Sequence, residues 1–156
     1  PSNGKTKLTI IGDTHGQLED LYTIFSIKGI PSETNWYLFN GDFVDRGAMG
    51  CEILATLCAF KILYPKFVFL NRGNHEARAQ NAWMGFEEEI LGKYTREDLI
   101  VRGDKRSALR IHLLFESMFD TLPLCAILQS KVFVCHGGLF RNDHVSIEHL
   151  KKIPIL

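Results

Sequence analysis

Four short polar clusters in the chain hold residue types that ligate metals, grip phosphate and move protons. They are GDTHG (residues 12–16), GDFVDRG (41–47), RGNHE (72–76) and CHGG (135–138). Asp13 and His15 stand two positions apart, so an extended backbone sends both side chains to one side. A carboxylate beside an imidazole is half of a site for a borderline metal such as Mn, Fe or Zn. Asp42 adds two oxygens able to bridge a pair of ions, Asn74 an amide oxygen, and His136 a second imidazole. Together Asp13, His15, Asp42, Asn74 and His136 suit two ions about 3.5–4 Å apart, the spacing used in two-metal hydrolysis. Such a pair turns a shared water into hydroxide and neutralises a phosphoryl group. The flanking glycines allow the sharp turns that bring ligands close.

Each residue alone has a plainer reading. An Asp-x-His triplet caps or turns a chain, Asp45 and Arg46 form a local ion pair, and Asn74 sits in a turn. His136 is a satisfied buried histidine, and Glu76 bonds backbone groups of its own loop. Those readings leave the conjunction unexplained, because the clusters recur at successive strand ends. In an open α/β sheet the carboxyl ends of the strands share one edge, where functional groups collect.

The elements that position the clusters follow from periodicity. KLTIIGD reads as a short buried strand ending at Gly12, and WYLFNGD and KFVFLNRG as two more. Between them, Leu18, Leu21, Tyr22 and Phe25 recur at helical spacing with Gly29 as the stop, and a second helix runs over residues 48–63. Ile53, Leu54, Leu57, Phe60 and Ile62 are its apolar positions. Strand–helix–strand–helix–strand implies an α/β sheet with parallel pairing. GFEEEILGKY is a short helix, and residues 107–119 form another. LCAILQSKVFVCHGG makes two strands about a tight turn at Gln129-Ser130-Lys131, and SIEHLKKI a last helix. His112, His144 and His149 belong to no cluster and read as ordinary surface or helix residues.

The 156 residues fit one domain, 1–156, with 46% hydrophobic and 23% charged residues as in ordinary globular chains. Lys+Arg and Asp+Glu are both 18, so no basic excess points to nucleic acid or a membrane surface. The densest basic patch (Arg102, Lys105, Arg106, Arg110) is interleaved with Asp98 and Asp104, as on a solvated helix face. No apolar run approaches the roughly 20 residues of a membrane span. Cys51, Cys58, Cys125 and Cys135 form no C-x-x-C pair, which fits reduced thiols in a cytoplasmic or nuclear protein.

GDTHG, GDFVDRG, RGNHE and HGG resemble, in order and spacing, the signature blocks of the phosphoprotein phosphatase family of serine/threonine phosphatases. The resemblance runs from about Leu8 to Ile153. PSETNWYLFNGDFVDRG, MGFEEEILGKY and HGGLFR lean towards the branch holding the tetratricopeptide-linked phosphatase, the EF-hand phosphatases and plant protein phosphatase 7. The resemblance implies a metallophosphoesterase-type (calcineurin-like) β-sandwich with flanking helices, of which this chain supplies roughly the first half. It also implies two divalent or trivalent metal ions and phosphoprotein substrates, with regulatory domains or subunits possible but not visible in the sequence. Asp13, His15 and Asp42 would hold the first ion, and Asp42, Asn74 and His136 the second. Arg46 would bind phosphate oxygens through its planar fork of donors. His75 would protonate the leaving serine or threonine oxygen, with Asp45 orienting its imidazole. Catalytic domains of that family are longer, and their second half supplies a further metal-binding histidine and phosphate-binding arginine, so the chain is expected to be a fragment with little activity alone.

Three rival readings have their own residues or motive. A dinucleoside-polyphosphate hydrolase shares the first and third blocks, whereas VDRG together with GNHE favours a protein phosphatase. Cys135 and Arg141 satisfy the C-x5-R spacing of cysteine-dependent phosphatases. Against that, Asn142 stands where serine or threonine is preferred, and the other clusters would be idle. A truncated, non-catalytic binding module is the third.

Overall fold

The computed structural model describes residues 6–95 and 106–154. Three parallel strands form the first sheet: β1 (Lys7–Ile11), β2 (Asn35–Phe39) and β3 (Val68–Leu70), with β2 in the centre. Helix α1 (Leu18–Lys28) connects the first pair and α2 (Gly50–Leu63) the second. Parallel neighbours require such crossovers, and both helices cover one face. That face is built on alternation. Tyr37 and Phe39 lie beside Val68 and Leu70 in register, and Phe25 of α1 packs edge-on against Tyr37 at 5.6 Å and Phe60 of α2 at 5.3 Å. Leu21, Tyr37, Phe39, Ile53, Leu54, Leu57 and Val68 are fully enclosed; each such aliphatic or aromatic side chain contributes about 1.5–3 kcal/mol.

The opposite face is different. Leu38 is buried there, and Trp36 leans on Phe67 and Phe69 at 5.3 and 6.3 Å. Edge strand β1, however, exposes Leu8 and Ile10 at 37% and 47%. The expectation of a buried β1 is therefore corrected: its hydrophobicity is real, but among the described residues nothing covers its outer face. Tyr22 and Ile62, expected as core, are also exposed, since each lies off the buried stripe of its helix.

Helix α2 begins at Gly50, two residues later than its pattern suggests, and its first N–H groups are satisfied from another element. The Glu89 carboxylate of α4 (Phe86–Tyr94) accepts from Gly50 N at 3.1 Å and Cys51 N at 2.9 Å. A carboxylate at a helix N-terminus fills orphan donors and complements the dipole. Burial, then the Glu89 charge, push the Cys51 thiol up to about 12. Helix α3 (Arg78–Met84), absent from the sequence expectation, occupies the RAQNAWM stretch directly behind the third cluster. Phe86 then packs on Phe115 and Phe119 of α5 (Arg106–Asp120) at 5.4 and 5.8 Å. Of the basic patch, Arg102 and Lys105 fall outside the described residues, as do Asp98 and Asp104, while Arg106 and Arg110 lie on α5.

Beyond α5 lies a two-stranded antiparallel hairpin, β4 (Cys125–Leu128) and β5 (Val132–Cys135), then a short α6 (Ile147–Leu150). Its turn puts Gln129 and Ser130 at φ 51° and 57°, with Lys131 N closing on Leu128 O at 2.9 Å. His149 completes a reciprocal cap with Ser146 at the start of α6. No described helix is long and apolar enough to cross a membrane.

Candidate active site

Because β1, β2 and β3 are parallel, their carboxyl ends meet at one edge, and the first three clusters begin there. The second cluster is the hub. The Asp42 carbonyl accepts from Thr14 N and His15 N, both at 3.0 Å, and Phe43 O accepts from Gly16 N at 2.9 Å. From the third cluster, buried Glu76 takes three backbone donors: Phe43 N on Oε1 at 2.7 Å, and Asp42 N and Gly73 N on Oε2 at 2.8 Å each. Glu76 thus bonds beyond its own loop, joining two strand ends. Burial pushes its carboxyl up from the ordinary range, and the three N–H donors oppose that shift. Arg72 fixes the same loop to α5, donating to Glu76 O and to Asp120 at 2.9 Å.

Close approach makes this possible. A Cβ on Gly41, which sits at φ +94°, would overlap the backbone nitrogen of Gly73. A Cβ on Gly73 would in turn strike the Asp42 carboxylate. His15, Asp42, Asp45 and Arg46 all adopt left-handed φ, between 38° and 67°. Four such residues in one site, held by the network just described, are the kind of strain that packed surroundings maintain where geometry serves function.

The side chains converge around Asp42. His15 Nδ1–H donates to Val44 O at 2.8 Å, so in the neutral ring Nε2 is the acceptor. That Nε2 is buried without a hydrogen-bond partner and faces Asp13 Oδ2 and Asp42 Oδ2, each at 3.6 Å. His136 repeats the pattern. Its Nδ1–H donates to Asn40 O at 2.7 Å, and its Nε2 faces Asp42 Oδ2 and Asn74 Oδ1, each at 3.1 Å. With neutral rings these are acceptors facing acceptors, an arrangement that a cation between them satisfies, so the donor set fits metal ions. Imidazoles anchored through Nδ1–H to carbonyls are also the usual outer support of metal ligands. Two overlapping groups have ligand atoms within 4.8 Å of one another: His15, Asp42 and His75, and Asp13, Asp42 and His136. Asp42 belongs to both.

Beside them, His75 Nδ1–H donates to Asp45 Oδ2 at 2.6 Å, and Asp45 Oδ1 accepts from Phe86 N at 2.8 Å. His75 and Asp45 are almost wholly buried, and His75 Nε2 lies 3.9 Å from Asp42 Oδ2. Arg46 sits at the exposed rim, lining an open groove with Gly85, Glu88 and Lys93. The structure brings Asp13, His15, Asp42, Asp45, Asn74, His75 and His136 together and leaves Arg46 at the margin.

Two residues escaped the sequence reading. Asn40 and Asn71 come directly after the last residues of β2 and β3. Asn71 Nδ2 donates to Asn40 Oδ1 at 2.8 Å, and Asn40 Nδ2 donates to Cys135 O at 2.9 Å. They tether the hairpin so that His136 meets the sheet edge. A lone asparagine after a strand reads as a turn, so only the recurrence of Asn at both strand ends could have signalled this. The C-x5-R reading is corrected: Cys135 Sγ donates to Gly137 O at 3.2 Å, placing a carbonyl where a phosphate cradle needs N–H groups.

Comparison with known proteins agrees with this architecture. A family model for calcineurin-like phosphoesterases matches residues 6–156. Serine/threonine-protein phosphatase 5 of Homo sapiens is 46% identical over 147 residues, covering 94% of this chain and 27% of that protein. Serine/threonine-protein phosphatase T of Schizosaccharomyces pombe is 45% identical over 153 residues, covering 98% and 30%. A solved serine/threonine phosphatase from Saccharomyces cerevisiae, similar to human PP5, superposes with a TM-score of 0.87 at 37% identity, over 99% of this chain and 45% of that one. A putative diadenosine tetraphosphatase shares the fold at a TM-score of 0.53 and 23% identity, over 88% and 52%. The chain spans under a third of the curated relatives' length. It belongs to the calcineurin-like phosphoesterase family, and within it is similar to serine/threonine-protein phosphatases 5 and T.

Proposed function

We propose that this chain belongs to a phosphatase that hydrolyses phosphoserine and phosphothreonine in proteins, and that it carries ligands for both of its metal ions. The observation that carries the reading is the convergence of His15 Nε2 and His136 Nε2 on one oxygen, Asp42 Oδ2, with each ring's Nδ1–H held by a backbone carbonyl. Asp13, His15 and Asp42 would hold one ion and Asp42, Asn74 and His136 the other, with Mn, Fe or Zn suited to mixed nitrogen and oxygen donors. Bound there, a pair of ions supplies activation of water and neutralisation of phosphoryl charge.

The chain's own residues supply the rest. Arg46, at the rim, presents a planar fork of donors to two oxygens of an entering phosphate. His75 carries the proton for the leaving alkoxide. Asp45 accepts from Nδ1–H, fixes the ring's orientation and supports its charged form, while the Phe86 N–H holds Asp45 in turn. Burial of the pair keeps bulk water from competing for that proton. The relatives' names supply the phosphoprotein class, and four free cysteines fit a reducing cytoplasmic or nuclear setting.

Calorimetric titration of Mn2+ into the 156-residue chain tests the reading. Two sites are expected, and Asp42→Asn should weaken both, with circular dichroism confirming that the variant is folded. Unchanged affinity at both sites would refute the shared-ligand assignment.

A further inference from the structure

Cys125 and Cys135 stand directly opposite each other in the antiparallel β4–β5 ladder. Opposed residues in such a ladder point to the same face with Cα atoms about 4.5–5.5 Å apart. Disulfides join Cα atoms about 4.4–6.8 Å apart, so the backbone spacing already suits a bond. Neither thiol is in a disulfide, both are half-buried, and Cys135 Sγ donates to Gly137 O at 3.2 Å.

This end of the hairpin is also the anchored end. Arg72 N donates to Pro123 O at 2.8 Å, Asn40 Nδ2 to Cys135 O at 2.9 Å, and Asn71 Nδ2 to Val134 O at 3.4 Å. Fraying therefore does not separate the pair. Access exists from one side: Cys125 and Ile127 line a cavity of about 360 Å³ with Leu150 and Ile153, large enough for a small oxidant. The other two cysteines are placed differently. Cys51 is buried in α2, and Cys58 donates to the Met118 sulfur at 3.3 Å. Cys58 does share a second cavity with Cys125, which makes it the competing partner.

We propose that Cys125 and Cys135 are an oxidation site, closed by hydroperoxides into a reversible cross-strand disulfide. One thiolate attacks a peroxide oxygen, the O–O bond breaks, and water or an alcohol leaves with the thiol proton, giving a sulfenic acid. The opposed thiolate attacks that sulfur, the S–S bond forms, and the sulfenic hydroxyl leaves as water with the second proton. The pair loses two electrons, and the hydroperoxide takes them. This proposal rests on the register and the anchoring, and stands whether or not the cluster edge holds metal.

The test treats the 156-residue chain with hydrogen peroxide, traps remaining thiols with N-ethylmaleimide, and reads intact mass and mapped peptides. The expected result is protection of two of the four thiols, with peptides bearing Cys125 and Cys135 joined within one chain and dithiothreitol restoring full alkylation. Cys125→Ser and Cys135→Ser should each abolish the intrachain link and leave a sulfenic or sulfinic adduct on the surviving thiol. A Cys58–Cys125 link, a disulfide between two chains, or complete alkylation of all four thiols after peroxide each overturns the proposal.

Discussion

Replacing Glu76 by alanine should be the most damaging single change at the sheet edge that leaves every metal-ligand candidate in place. The carboxylate takes three buried backbone N–H groups at 2.7–2.8 Å from two loops. Truncation strands all three. A buried donor without a partner costs about 1–3 kcal/mol, so three amount to about 3–9 kcal/mol. Relief offsets part of that, because burial already disfavours the charged carboxylate and pushes its titration up. A net loss of about 3–5 kcal/mol is the expectation, against the roughly 5–15 kcal/mol that holds a typical domain together. Glu76→Gln keeps one oxygen where Asp42 N and Gly73 N can reach it, and turns its amide only on Phe43 N. Its loss should be about 1–3 kcal/mol. Urea denaturation followed by the fluorescence of Trp36 and Trp83 and by far-ultraviolet circular dichroism measures both. A Glu76→Ala midpoint indistinguishable from the parent, with unchanged slope, would refute the view that this one carboxylate joins the two loops.

The remaining expectations concern the pieces around it. Asp45→Asn should turn its amide on His75 and shift the ring from the Nδ1–H to the Nε2–H tautomer, visible in imidazole 15N shifts; in a protein of the relatives' full length it should also slow turnover by about a hundredfold or more, and an unchanged tautomer would remove Asp45 from its orienting role. Asn40→Ala should speed amide exchange across residues 125–136 while leaving β1 and β2 protected, and equal protection in the hairpin would mean that the asparagine tether is dispensable. Gly41→Ala should cost about 1–3 kcal/mol in backbone strain alone, beyond the overlap with Gly73, and a melting temperature matching the parent would contradict the close approach. For Lys93, burial lowers the pKa, but the carboxylates of Glu52 and Glu89 more than reverse it, leaving it above the ordinary 10.5. Its contribution to stability is therefore present below 10.5 and lost as pH rises through the raised value, so the parent and Lys93→Met should differ in stability at neutral pH and converge in strong alkali.

The parts legible in the sequence were those with a local signature. Asp13, His15, Asp42, Asn74 and His136 announced themselves because glycines bracket them at strand ends, and a parallel sheet gathers its strand ends along one edge. Helices α1 and α2 and the hairpin were equally plain from spacing and from Gly29 and Gln129-Ser130-Lys131. The features missed by the pattern depend on partners distant in the chain. Leu8 and Ile10 are apolar enough for a core, yet hydrophobicity does not say which face a neighbour will cover. Helix α3 is seven residues long and lacks a capping side chain, so it carries neither a start signal nor a full apolar stripe. His112 read as an ordinary helix position, but its Nε2 lies 3.2 Å from Asn81 Oδ1 and 3.6 Å from Glu116, contacts spanning 31 residues in one case. In the sequence Glu76 points no further than its own loop, because the donors from Asp42 and Phe43 come from another cluster.

The uncovered outer face of β1 bears on how the isolated chain behaves as a colloid. Leu8 and Ile10 lie open on the sheet, and Leu139 and Phe140 near the hairpin are 80% and 40% exposed. Ordinarily like charge keeps such surfaces apart, but this chain carries a formal net charge of zero and a pI near 7.4. Neutral buffer thus removes long-range repulsion just where sticky contact is available, and added salt offers no remedy, since it screens charge while favouring burial of apolar area. Second virial coefficients should be negative near the isoelectric point and rise on either side of it. Handling the chain a unit or more from that pH, in low salt, is the condition its surface dictates.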